Sequence, residues 1–382
     1  MTKKKKEKQN KFKEIYRRFK REIKLHEKSI EVIGSYAYKS DKKILKKLES
    51  ILDKAKDKRL NLSVTDIEVL MEVYNEHPDQ SFLFRKNTIV SIVSLLDDVF
   101  SSIFRDYYLQ NPDKLSLENQ SINYTELGHV SKINEAKNYL INKEIEAILI
   151  KQGIKSRFEI LKNEMDVSIP DNNEHLLEVN KLIKTRNLIV HNSCCIDQEY
   201  SKKYGDEKLK KGDRIPLSEQ YLKNTLSLVF YIGSYILQSV QLKQFSKKLE
   251  SNDFILNDVM HELVKKENYT FLKEMYNFAK DSDLDDINKK MIVINFCIGL
   301  KKQGKSLSHI DKVLEQEDWS VEEPTIELCL SALKEDHDDF YSKLETLIKN
   351  KKISKRELLD WEIFSLYRRK TKFRKIVKKV IE

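Results

Sequence analysis

Residues 174–200 read EHLLEVNKLIKTRNLIVHNSCCIDQEY, and a single apolar stripe runs through them. Val179, Leu182, Ile183, Ile189 and Val190 recur at helical spacing, which predicts an amphipathic helix over about 174–192. Arg186 sits inside that stripe, with Leu182, Ile183, Ile189 and Val190 three or four residues away. A guanidinium among apolar neighbours is costly unless it is paired or lines a cavity or interface. It is also the side chain best shaped to grip a phosphate through a fork of donors. Asn187 and His191 are four apart and share a face, and His191 is suited to moving protons near neutral pH. Arg186 and His191 are five apart, about 140° around an ideal helix. They converge only if the helix deforms or ends at His191, or if a second chain brings its own pair to the same place, as a symmetric dimer would.

Working outward, residues 82–109, FLFRKNTIVSIVSLLDDVFSSIFRDYYL, carry Ile89, Ile92, Val93, Leu96, Val99, Phe100, Ile103 and Phe104. So wide a stripe predicts a central core helix. Further helices are expected over about 131–152 and from a Ser218 cap to about 247, with loops at 110–127 and 196–216. Towards the N-terminus, Phe12, Ile15, Phe19 and Ile23 predict a basic amphipathic helix over 10–33, preceded by an unstructured 1–10. Ile44, Leu48, Ile51, Leu52 and Ala55 mark a second helix. Thr65 with Glu68 caps a third that ends near His77-Pro78.

The stretch Arg186-Asn187-Leu188-Ile189-Val190-His191 resembles the HEPN superfamily, whose ribonuclease members carry Arg, a polar residue, three residues and then His. Asn192, and Asp197 with Tyr200, are similar to the bacterial branch of that family, as are the flanking helices, so the resemblance covers roughly residues 80–247. It implies an all-α helical bundle that cuts RNA without a metal and acts as a dimer with a composite site. His191 would activate the ribose 2′-OH or protonate the leaving 5′ oxygen. Arg186 would stabilise charge on the phosphorane, leaving a 2′,3′-cyclic phosphate. Asn187 and Asn192 would orient the His or the phosphate, and Glu178, Asp97 or Asp98 would supply a supporting carboxylate. Nucleases of this kind with added helical domains belong to bacterial toxin and anti-phage abortive-infection systems. One toxin subset has Tyr two residues after the His as a modification target; Ser193 stands there in this chain, against that form of control.

Composition agrees with a helical chain. Among 382 residues there are only 8 Gly and 5 Pro, the residues that punctuate turn-rich folds. Pro78, Pro112, Pro170, Pro216 and Pro324 all fall where the apolar period breaks. Cys194, Cys195, Cys297 and Cys329 form no C-x-x-C, so a reduced, cytoplasmic protein is expected. The other histidines (His26, His77, His129, His175, His261, His309 and His337) have no metal-ligand spacing, and no phosphate-binding glycine loop is present. No cofactor is expected. Leu226–Val240 is too short and polar-punctuated to span a bilayer, so no membrane association is expected.

Charge is uneven. Residues 1–60 hold 22 Lys+Arg against 9 Asp+Glu, and residues 351–382 hold 12 against 4, within a net charge of +10. Basic ends suit a polyanion such as RNA, and Arg17, Arg18, Lys20 and Arg21 are the N-terminal candidates for gripping it. In the last third, apolar residues recur seven apart: Val264, Phe271, Phe278; Leu300, Leu307, Leu314; Leu333, Phe340, Leu347; and Leu366, Phe373, Val380. The first of each set closes one helix and the others lie on the next. This pattern resembles a tetratricopeptide-type array, without that family's signature residues, and such an array would hold a protein or phage-derived partner. The reading is therefore a basic N-terminal helical segment over 1–78, a HEPN ribonuclease domain over 79–248 and a helical-repeat domain over 249–382. The alternatives are a catalytically silent helical scaffold and a pure RNA-binding protein.

Overall fold

The structure, a computed structural model, describes residues 3–56, 64, 70–71, 79–115, 122–123, 125, 132–151, 153–205, 209–245, 255–320 and 322–381. The helix expected between Thr65 and Pro78 lies outside them except for residues 70–71. The fold is all-α. The helices are α1 (Lys3–Ser29), α2 (Ser35–Lys56), α3 (Gln80–Gln110), α4 (Ile133–Lys151), α5 (Ile154–Glu159), α6 (Asn173–His191), α7 (Gln198–Tyr204) and α8 (Glu219–Phe245), followed by α9 (Ile255–Lys265), α10 (Tyr269–Lys280), α11 (Asp286–Lys302), α12 (Leu307–Leu314), α13 (Pro324–Leu333), α14 (His337–Lys349), α15 (Lys355–Asp360) and α16 (Thr371–Ile381). Among the described residues the one β-type pairing outside helices is an isolated antiparallel bridge between Cys195 and Arg214.

Contacts divide the chain into two units, Glu14–Ile236 and Met1–Lys13 with Leu237–Glu382. In the first, α3 is the hub and packs against α2, α4 and α6. Its eight predicted core residues, from Ile89 to Phe104, are all buried. Asp79 caps α3 by accepting the Phe82 N–H at 2.8 Å, and Ser218 caps α8 through the Tyr221 N–H at 3.0 Å. The stripe of α1 is equally buried at Ile15, Phe19 and Ile23.

Two expectations need correction in this unit's elements. Helix α1 begins at Lys3 instead of residue 10, because Lys, Glu and Gln favour helix by themselves and nothing in KKKKEKQN breaks one. A π-turn at Ile30–Gly34 then joins α1 to α2. The stretch 196–216, expected as a loop, contains α7, which Asp197 caps by accepting the Tyr200 N–H at 2.7 Å. Helix α5 and the π-turn at Ile160–Glu164 occupy a stretch for which the apolar period gave no expectation.

Helices α3 and α8 are long and apolar enough to cross a membrane by length and composition, but the most apolar window of α8 is 94% buried and that of α3 50%. The burial of α8 is how core helices look. Gly233 of α8 shows how tightly the core is filled. A Cβ there would lie 2.5 Å from Cζ and 2.9 Å from Cε1 of Phe19, and that ring lies near-parallel to Phe230 at 6.3 Å. Gly233→Ala is expected to destabilise the protein by about 1–3 kcal/mol through overpacking. Chemical denaturation checks this, and an unchanged midpoint would show that Phe19 yields freely.

In the second unit, α9 packs against α10 and α11, α11 against α12 and α13, and α13 against α14. Three of the four sevenfold sets start near the end of one helix and continue on the next, as expected; the fourth starts on a 3₁₀ turn, Glu362–Leu366, and continues on α16. Leu307 departs from the pattern by being exposed. The last set also departs from an open array, in which each pair touches only its neighbours. The Glu362–Leu366 turn packs on α9, α11 and α13 together. Lys265 of α9 pairs with Asp360, and Lys302 of α11 with Glu362 at 2.9 Å.

Candidate active site

Arg186 is half-buried on α6, which packs against α3. Asp97, one of three carboxylates that the sequence left unranked, is the one brought to it. Arg186 Nη2 is 3.5 Å from Asp97 Oδ2, and Nη1 donates to Asn187 Oδ1 at 3.1 Å. The other oxygen of Asp97 takes a shorter bond, 2.6 Å, from Nη1 of Arg157. Arg157 is 3% exposed, donates through Nη2 to the Leu149 carbonyl at 2.6 Å, and lies 5.5 Å from the Phe100 ring. One carboxylate thus serves two guanidiniums, and these three groups keep a net charge of +1. The tight bond holds Arg157, and the long one parks Arg186.

Arg157 is the member of this cluster that the sequence reading missed. Its signal matched that of Arg186: a lone cation among Ile154, Phe158, Ile160 and Leu161. Asp98 points elsewhere and pairs with Arg18 at 2.7 Å, so these two candidates neutralise each other. Glu178 lies 3.8 Å from Lys181. Arg21 lies 3.4 Å from Glu22, while Arg17 is exposed and Lys20 half-buried.

Helix α6 runs unbroken to His191, its last residue. His191 is exposed, and no hydrogen bond to its ring is found among the described residues. The chain then turns sharply. Cys194 N–H reaches back to the Leu188 carbonyl at 3.0 Å, with Ser193 and Cys194 at φ 51° and 64°. Two successive non-glycine residues in the left-handed region store strain of the kind concentrated at functional sites. Asn192 Nδ2 donates to the Cys195 carbonyl at 2.7 Å and so braces this turn. The bridge to 212–215 holds it further, with Ile196 N–H to the Asp213 carbonyl at 2.8 Å and Ile215 N–H to the Cys194 carbonyl at 2.9 Å. The D-x-x-Y pair acts locally: Asp197 caps α7, and the buried Tyr200 hydroxyl lies 3.1 Å from Thr185 Oγ1. Tyr221 donates to the same Thr185 at 3.3 Å, and burial pushes its phenol up to about 12. These phenols stay neutral at physiological pH.

A second feature lies along the α3–α6 seam. Lys86, Asn87, Val90, Ser91 and Ser94 of α3 line a cleft of about 540 Å³ with Ile189 and Val190 of α6. Behind it, His26 Nε2 is 3.2 Å from the Ser91 hydroxyl. Burial holds His26 below its ordinary value of 6.5, partly opposed by Glu22. The unfolded chain therefore takes up this proton first on acidification, and stability falls as pH drops below the unfolded value. Melting temperatures at about pH 7 and about pH 5 check this: His26→Gln should lose less stability on acidification than the unaltered protein. An identical loss would assign the pH dependence to other groups.

Among the described residues no group of three His, Cys, Asp or Glu side chains could hold a metal ion. The four cysteines are free thiols. Compared with protein-family models, curated proteins and solved structures, the chain matches none.

Proposed function

We propose that the chain is an endoribonuclease of the HEPN type, in which Arg186 and His191 act on an RNA phosphodiester. The observation that carries the reading is the Arg157–Asp97–Arg186 cluster. It holds a cation in the apolar seam of α6, leaves a net positive charge and gives Arg186 a weak partner that a phosphate would replace with a stronger, forked one. In this reading His191, at the exposed end of the same helix, moves the proton to or from the ribose 2′-OH or the 5′ oxygen. Arg186 and His191 lie about 140° apart on an ideal helix, and α6 ends at His191, which is one of the two ways for them to meet; the other, a composite site in a homodimer, is the one the resemblance implies. By the resemblance, the substrate is cellular or phage RNA and the setting a defence or toxin system in the cytoplasm, with the C-terminal helices receiving a partner.

The test is incubation of purified protein with total RNA in the presence of a metal chelator, followed by end analysis. Fragments with 2′,3′-cyclic phosphate ends are expected. RNA that stays intact under all conditions overturns the reading. The Asp97 bond to Arg186 favours one rival, a silent scaffold in which this pair is only structural. In that case protein lacking the Arg186 side chain loses stability, and there is no cleavage to lose.

A further inference from the structure

We infer that the cleft between α3 and α6 is a binding subsite for one nucleotide of single-stranded RNA, next to the reacting bond; this rests on the ribonuclease reading. The cleft follows the same seam as the candidate site. Ser94 lies one turn before Asp97 on α3, and Ile189 and Val190 lie one turn after Arg186 on α6. Its chemistry has two halves.

The first half grips an anion. Lys86 is half-buried in the wall, and no carboxylate pairs with it among the described residues. No carboxylate lines the cleft either. The acidic groups further along α3 are engaged: Asp97 by two arginines and Asp98 by Arg18. A partly desolvated, unpaired ammonium is unfavourable by itself and favours an entering phosphate. Asn87 adds an exposed amide donor. Ser91 shares its hydrogen bond with His26, so the pair can present either a donor or an acceptor to the ligand. Ser94 already donates to the Val90 carbonyl at 3.0 Å, leaving its oxygen to accept from a sugar hydroxyl or a base N–H.

The second half is apolar. Val90, Ile189 and the half-exposed Val190 form a surface on which the face of a base can lie. One cation, several small polar groups and an apolar wall fit a nucleotide better than a bare anion, which has no use for the wall. They also fit it better than an acidic peptide, whose several carboxylates would find only one ammonium.

The experiment measures binding of a 2′-O-methyl oligoribonucleotide, which lacks the attacking hydroxyl and cannot be cut. Fluorescence anisotropy over a salt series is the readout. Lys86→Ala is expected to weaken binding about tenfold and to lower the slope of log K against log salt by about 0.7, one single-strand phosphate contact. Ser94→Asp, at an exposed position where folding is safe, should weaken binding at least as much by placing a carboxylate on the wall. Lys155→Ala, on the exposed face of α5, should change binding less than twofold. Binding that is absent from the unaltered protein, or that stays at the unaltered protein's level in both the Lys86→Ala and the Ser94→Asp proteins, overturns the subsite. Cleavage observed alongside such a result leaves the nuclease reading standing. Lys86-dependent binding without cleavage of ordinary RNA leaves the subsite standing and removes the nuclease.

Discussion

His191→Ala protein leaves RNA intact where the unaltered protein cuts it, with a rate loss of about 10²-fold or more, the usual worth of a positioned acid or base. The substitution is mild for the fold, because His191 is exposed at the last position of α6 and its ring makes no hydrogen bond among the described residues. Stability should move by no more than about 0.5 kcal/mol. Arg186→Ala should cost cleavage a similar factor, by removing the group that meets developing phosphorane charge. Its stability effect is less simple, since Asp97 keeps Arg157 as partner. The paired measurement is a cleavage rate on labelled RNA and a denaturation curve for each protein. Full activity in His191→Ala protein would sink the mechanism. Lost activity with lost folding would say nothing for catalysis, which is why the exposed residue is the decisive one.

Asp97→Ala destabilises the unit by about 3–5 kcal/mol, the range for removing one partner of a buried ion pair. The reason is Arg157. At 3% exposure it has no route to water, and its Nε already lacks a hydrogen-bond partner. Losing Asp97 leaves the guanidinium with the Leu149 carbonyl and the Phe100 ring alone. The double variant Asp97→Ala with Arg157→Met should regain much of that loss, because it removes the stranded charge together with its partner. Equilibrium unfolding of the three proteins gives the answer. A single variant within about 1 kcal/mol of the unaltered protein would mean that water reaches Arg157, and the network would lose its structural meaning.

The period of the apolar residues made the long helices legible, and the scarcity of Gly and Pro excluded turn-rich folds. It also placed Arg186 inside an apolar stripe of which Val179 and Leu182 are buried, Ile183 and Ile189 half-buried and Val190 exposed, while Thr185 and Leu188 complete the buried face. What it could not do was choose among Asp97, Asp98 and Glu178. That choice depends on how α3 faces α6 and α1, and the decisive pairs join residues 89 and 80 positions apart. Arg157 was missed although its neighbourhood is as apolar as that of Arg186, because its helix has only six residues and gives the period too little length. Helix α7 was missed for a related reason: its seven residues are held by one cap and one buried Tyr200, a small signal among many lysines. The turn after His191 gave no sign at all. Left-handed positions are usually betrayed by Gly or Asn, and here Ser193 and Cys194 occupy them.

The closing of the C-terminal helices onto α9 bears on how the protein is made. The backbone of Asp360 bonds to His261 across 99 positions of sequence. At a synthesis rate of about 5–20 residues per second, those partners of α9 are translated roughly 5–20 s after it. Until then its apolar face lacks part of its cover in a nascent chain that has already begun to collapse. A cell producing this protein must shield that face for the interval, and emergence of Asp360 and its neighbours, rather than of the first hairpin, sets when the C-terminal unit can finish folding.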